Sequence, residues 1–149
     1  MPTSYRKQET DLFCGPAIVQ MILATQDLEI SQIDIAGEMT TDKRGTPIKA
    51  MESYLKAQGF STRRTNEAQW EDIEDALGER ATIVVGYLEK GEDKAHYALV
   101  ATTTQGEIIL TDPFFGPEYR LSREEFERRW KDDIDHAYGN RMMLAVTAP

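Results

Sequence analysis

The sequence predicts an α+β architecture, with helices in front and an antiparallel sheet behind, on three observations. Helical apolar spacing fills the first half of the 149-residue chain, strand-like apolar runs begin near Ala81, and no repeat, low-complexity tract or Pro/Ser-rich linker separates the two. With 40% hydrophobic residues the chain can bury a core of its own, so residues 1–149 are expected to form one domain.

Each element follows from local chemistry. Pro16 suits the first turn of a helix, where its missing N–H costs nothing, and residues 16–24 are apolar nearly all round, as a buried central helix requires. Residues 31–38 read as a short helix with Ile33 and Ala36 or Gly37 on one face. Thr46 is placed as an N-cap with Pro47 as the first helical residue, Met51 and Leu55 facing inward and Gly59 closing the helix. Residues 60–64 form a short strand, and residues 67–77 a helix closed by Gly78 with Trp70, Ile73 and Leu77 on one side.

The spacing then changes to that of strands. Residues 82–88, 95–102 and 107–111 are three strands, the last two forming a hairpin around Gly106. Residues 119–121 give another. Ser122-Arg123-Glu124-Glu125 matches a capping box that opens a helix through Trp130. On that helix Phe126 and Trp130 point to the core, with Glu124, Glu125, Arg128 and Arg129 as a solvated face. Residues 141–146 form the last strand.

Composition narrows the function. A single cysteine, Cys14, cannot form an internal disulfide, and the start of the chain lacks the apolar core and cleavage site of a secretory signal. No apolar run approaches the length needed to span a bilayer, so the expectation is a cytoplasmic protein with no membrane partner. A net charge of −9 disfavours nucleic acid as a partner and favours a neutral or cationic ligand, such as a peptide with basic residues.

Cys14 stands just ahead of the first predicted helix. A thiolate attacks a carbonyl carbon where a thiol hardly does, and a helix N-terminus lowers a thiol's pKa. Gly15 beside it permits close backbone approach by a substrate. Taken alone, a lone intracellular cysteine is more often an inert buried hydrophobe. The two histidines alter that balance. His96 lies inside an apolar strand, where an imidazole needs partners, while His136 sits in an acidic polar stretch and carries little catalytic weight.

Hairpin geometry supplies a third group. A loop of Thr104-Gln105-Gly106 with Gly106 left-handed would pair Thr103 with Glu107 and set Ala98 opposite Asp112. His96 and Asp112 would then share a sheet face as diagonal neighbours, roughly 7–8 Å apart along the backbone. A carboxylate there fixes the imidazole tautomer. Asp112-Pro113 is also an ordinary strand-ending turn signal. Gln8, in the loop before the helix, carries a side-chain amide that could join the Cys14 backbone N–H around an oxyanion.

Gln8, Cys14-Gly15-Pro16-Ala17, His96-Tyr97, and Asp112-Pro113 with Gly116 just after occur in the order found in C39 peptidases, and the chain resembles that papain-like family from about Gln8 to Phe126. Ala57-Gln58-Gly59-Phe60 is similar to the family's segment after its nucleophile helix. The resemblance implies a papain-like cysteine peptidase fold. It implies Cys14 as nucleophile, His96 as base, Asp112 as the group orienting His96 and Gln8 in the oxyanion hole. The expected activity is hydrolysis of a peptide or amide bond, with no metal or organic cofactor and a peptide or protein substrate such as a leader peptide. Phe13 departs from the polar or acidic residue that many leader peptidases carry before the cysteine, which bears on double-glycine specificity. An acyl or peptidyl transferase using the same thioester, and an inactive peptide-binding pseudopeptidase, are the alternative readings.

Overall fold

The computed structural model describes residues 4–91, 94–131 and 140–149; His136 lies outside them. The elements run α1 (Cys14–Ala24), α2 (Gln32–Glu38), α3 (Ile48–Ala57), β1 (Ser61–Thr65), α4 (Trp70–Gly78), β2 (Thr82–Leu88), β3 (Ala95–Thr103), β4 (Glu107–Asp112), β5 (Gly116–Ser122), α5 (Arg123–Arg129) and β6 (Met143–Thr147). The strands form one sheet in the order β1-β6-β2-β3-β4-β5, and every neighbouring pair is antiparallel.

As expected, the N-terminal helices α1–α3 pack on one face of this antiparallel sheet, and α4 and α5 in addition cover the other. On one side α1, α2 and α3 pack Ile18, Ile22, Ile35, Met51 and Leu55 against Val84, Tyr97, Leu99, Leu144 and Val146. On the other, α4 and α5 pack Trp70, Ile73, Phe126 and Trp130 against Ile83, Val85, Tyr87, Ala98 and Val100. Period-two alternation divides β2 and β3 between the two cores, which is why both strands read as continuous apolar runs. As expected, Phe126 and Trp130 are buried.

Several local expectations shift. Ile33 is 67% exposed, and α2 turns Gln32, Ile35 and Ala36 inward, because Gln32 bonds Lys7 O and Gln20 Oε1. Pro47, not Thr46, is the N-cap residue of α3; Thr46 is buried and spends its hydroxyl on Thr41. Gly78 is the last residue of α4, and the left-handed turn falls on Arg80 at φ 64°. At α5 the Ser122 half of the capping box forms, but the Glu125 carboxylate turns to Arg128 and Arg129. Arg129 is not solvated: its Nε donates to Leu88 O at 2.8 Å and its guanidinium lies over the Tyr87 ring. Among the described residues no helix is long and apolar enough to cross a membrane.

Candidate active site

Cys14 is the first residue of α1, one position further in than the sequence suggests. The N-cap residue, Phe13, makes no side-chain capping bond, so the first N–H groups of α1 stay open. Pro16 has none to offer, which leaves Cys14 and Gly15 as donors there. Gly15 is required by packing: a Cβ at this position would fall 2.7 Å from Thr46 Cβ. The close approach expected from a substrate is made by this buried threonine. Thr46 is itself held by the Tyr97 hydroxyl, which donates to its carbonyl at 2.8 Å. The residue after His96 therefore ties β3 to the loop against which α1 begins.

β3 delivers His96 with 3% exposure, level with Tyr87 on β2. Its Nε2 lies 2.9 Å from Asp112 Oδ1, and its ring is close enough to the Cys14 sulfur to govern that thiol's ionisation. With Nε2 taken by the carboxylate, Nδ1 is the nitrogen left for the thiol. The Tyr97 backbone N–H also reaches the sulfur.

The hairpin that carries Asp112 differs from expectation at its tip. Gly106 is not left-handed, Thr104 N bonds Glu107 O, and Thr103 pairs with Ile108 instead of Glu107. A β-bulge at Ala101 then moves the ladder back by one residue, restoring Val100–Leu110 and Leu99–Thr111 pairing. Continued by one residue, that register sets Ala98 opposite Asp112, so the expected contact forms through two departures that cancel.

Asp112 is fully buried and well supplied with donors. Besides His96, Oδ1 accepts from Phe114 N at 2.8 Å and Phe115 N at 2.9 Å, while Oδ2 accepts from the Tyr87 hydroxyl. The turn-forming and imidazole-binding readings of Asp-Pro are thus both met by one carboxylate. The N-terminal loop closes over this turn: Tyr5 donates to Asp112 O at 2.7 Å and Gln8 N to Pro113 O at 2.9 Å. Gln8 is buried, its Nε2 donates to Thr10 O at 2.8 Å, and its Oε1 has no hydrogen-bond partner among the described residues.

The electrostatics of the group are mutual. Burial pushes the Cys14 thiol up, but the hydrogen bond and charge of His96 and the Tyr97 N–H outweigh it and hold the thiol below its ordinary value. Burial pulls His96 down, yet its bonds to Asp112 and Cys14 carry it up to about 10. Asp112 sits below the ordinary carboxylate value: burial opposes ionisation, and the His96 bond and charge and the Tyr87 hydroxyl overcome it. Burial and the Asp112 charge drive Tyr87 far above the usual phenol range, so it stays an O–H donor.

Sequence reasoning missed Tyr5, Tyr87 and Glu89. Glu89 Oε1 lies 3.4 Å from His96 Nδ1. Tyr87, near the end of β2, and Glu89, just past it, are two apart, so their spacing held a signal, readable only once the β2–β3 register is known.

The model of the peptidase C39 family matches residues 2–134. The chain belongs to the peptidase C39 family. As a C39 cysteine peptidase it is 25% identical over 130 residues to the SPbeta prophage-derived sublancin-168-processing and transport ATP-binding protein SunT of Bacillus subtilis; the match covers 87% of this chain but only 18% of SunT. It is 24% identical over 128 residues to an uncharacterized protein of Methanothermobacter marburgensis, covering 86% of this chain and 83% of that one. In fold it is similar to the peptidase domain of Streptococcus ComA, a bifunctional ABC transporter of a quorum-sensing pathway, with TM-score 0.79, 20% identity and coverage of 98% of this chain and 100% of that one. A double-glycine-motif protease from an AMS/PCAT transporter, solved with its leader peptide, superposes with TM-score 0.75 at 14% identity over 99% of this chain and 93% of that one.

Proposed function

We propose that this C39 peptidase hydrolyses a leader-type peptide in the cytoplasm through Cys14, His96 and Asp112, with Gln8 and the Cys14 backbone N–H around the oxyanion. The observation that carries the reading is the continuous contact from the Cys14 sulfur through His96 to buried Asp112 at the open start of α1.

The chemistry follows from that contact. The Cys14 thiolate attacks the scissile carbonyl carbon, and the carbonyl electron pair moves to oxygen beside the Cys14 N–H and the free N–H of the Gln8 amide. Imidazolium Nδ1 gives its proton to the departing nitrogen as the C–N bond breaks, leaving a thioester. Neutral Nδ1 then takes a proton from water, the hydroxide adds to the thioester carbon, and collapse releases the acid and restores the thiolate. Asp112 holds Nε2–H throughout, so Nδ1 remains on the side of the sulfur. The exposed rings of Phe114 and Phe115, on the turn directly after Asp112, offer apolar surface for peptide side chains.

The test is pH-dependent alkylation with iodoacetamide, in the wild type and in His96→Ala, beside incubation with a Gly-Gly-containing leader peptide read by mass spectrometry. Rapid labelling at mildly acidic pH that disappears without His96, together with cleavage that Cys14→Ala abolishes, is expected. An ordinary thiol titration in both proteins would overturn the reading.

A further inference from the structure

The mechanism uses one carboxylate on His96, but the fold supplies two. With Tyr87 paired to His96 and Glu89 N bonded to Lys94 O at 3.1 Å, Glu89 lies on the same sheet face as both and diagonal to His96. On the other flank Asp112 is the diagonal neighbour. The two carboxylates address different ring nitrogens, Asp112 at Nε2 and Glu89 at Nδ1.

Their surroundings differ. Asp112 is saturated with donors, whereas the Glu89 side chain is 26% exposed. Among the described residues Glu89 forms no ion pair with a lysine or arginine and its ion-pair partner is His96, although Lys94 lies opposite it and Arg129 bonds the Leu88 carbonyl beside it. Nδ1 is the nitrogen that hands its proton to the departing amine. A partly open carboxylate 3.4 Å from that atom therefore borders the space entered by the substrate residues that follow the scissile bond.

We propose that Glu89 is a specificity-determining residue favouring substrates with lysine or arginine within the first two positions after the scissile bond, an inference that rests on His96 acting as the proton donor. When Nδ1 loses its proton, Glu89 is left facing a neutral ring at a half-shielded site. A basic side chain then supplies the missing counter-charge, and an acidic one adds repulsion.

The test exploits the single cysteine of the chain. Cys14 labelling rates are measured with cationic trimethylammonium-ethyl, neutral methyl and anionic sulfonatoethyl methanethiosulfonates, in the wild type and in Glu89→Gln. The cation-to-anion rate ratio should fall by about five- to tenfold in Glu89→Gln, the size expected of one charge a few ångströms away in a partly screened setting. Peptides of one sequence carrying Lys, Gln or Glu after the cleaved bond should be cut in that order by the wild type, and the order should flatten in Glu89→Gln and invert in Glu89→Lys. An unchanged reagent ratio, or a lysine preference that survives Glu89→Gln, overturns the proposal. The neutral reagent separates the two readings: slow labelling with an ordinary thiol titration would instead remove the thiolate–imidazolium pair itself.

Discussion

The two flanks of His96 carry the same functional group in opposite conditions. On the β4 side Asp112 has no solvent exposure, and its two carboxylate oxygens accept from His96, Tyr87 and two backbone N–H groups of the following turn. On the β2 side Glu89 keeps a quarter of its side chain in solvent and touches the ring only through the 3.4 Å contact at Nδ1. A buried carboxylate held by four donors is fixed in place and sets the orientation of its partner. One with lone pairs to spare can accept a new partner at little cost. The comparison separates holding the imidazole from tuning what comes near it.

Perturbing the closed flank should have the largest effect. Asp112→Asn keeps the shape but removes the charge that stabilises the imidazolium, and peptide hydrolysis should fall by about a hundredfold or more, measured as kcat/KM. Tyr87→Phe retains the ring packing against Phe126 and His96 while removing one donor to Asp112. About a tenfold loss in kcat is expected with KM nearly unchanged, the cost of one missing charge-assisted bond.

The pH dependence of stability should be smaller and has a definite sign. His96 is raised from 6.5 to about 10, so its contribution is complete below pH 6.5 and is lost as pH rises through 10. Cys14 is lowered from 9.0, so its contribution is complete above pH 9 and is lost as pH falls through the lowered value. Above both 6.5 and the lowered Cys14 value, and below 9, the folded ion pair and the unfolded neutral pair each hold one proton, and the two tendencies offset. The melting temperature should therefore run level up to pH 9 and decline from 9 to 10, in a scan by circular dichroism. A steady fall across the whole window would mean that the thiol does not share the proton.

The smallest effect belongs to the open flank. Glu89→Gln should change the rate of labelling by a neutral reagent by no more than about twofold, because the charge removed is partly screened by solvent. A loss as large as that of Asp112→Asn would show that both carboxylates hold the ring, and the contrast between the flanks would collapse.

The legible parts of the molecule are those governed by short-range periodicity. The apolar runs of β2 and β3 carry their own strand signal, whereas His96 reaches Asp112 across a hairpin whose tip and bulge each depart from the expected register and cancel. The partners of Gly15 and Arg129 come from Thr46 and Leu88, dozens of residues away, and no local pattern encodes such contacts. Tyr87 and Glu89 were hidden for a related reason: the connection from β2 to β3 lacks a short turn signature that would set the register, so nothing in the sequence aligns them with His96. For α2, helical spacing set Ile33 on one face with Ala36 or Gly37, and the structure instead buries Ile35 and Ala36 beside the Gln32 network.

The bulge at Ala101 has a consequence for how this hairpin can vary. Side chains change faces with every single-residue slip, so the tip and the bulge act as a matched pair of insertions. Deleting Ala101 alone should rotate Asp112 away from His96, while deleting one residue at the tip as well should bring it back. Loop length here is constrained by parity, and related sequences should gain or lose residues in this hairpin two at a time or together with a bulge.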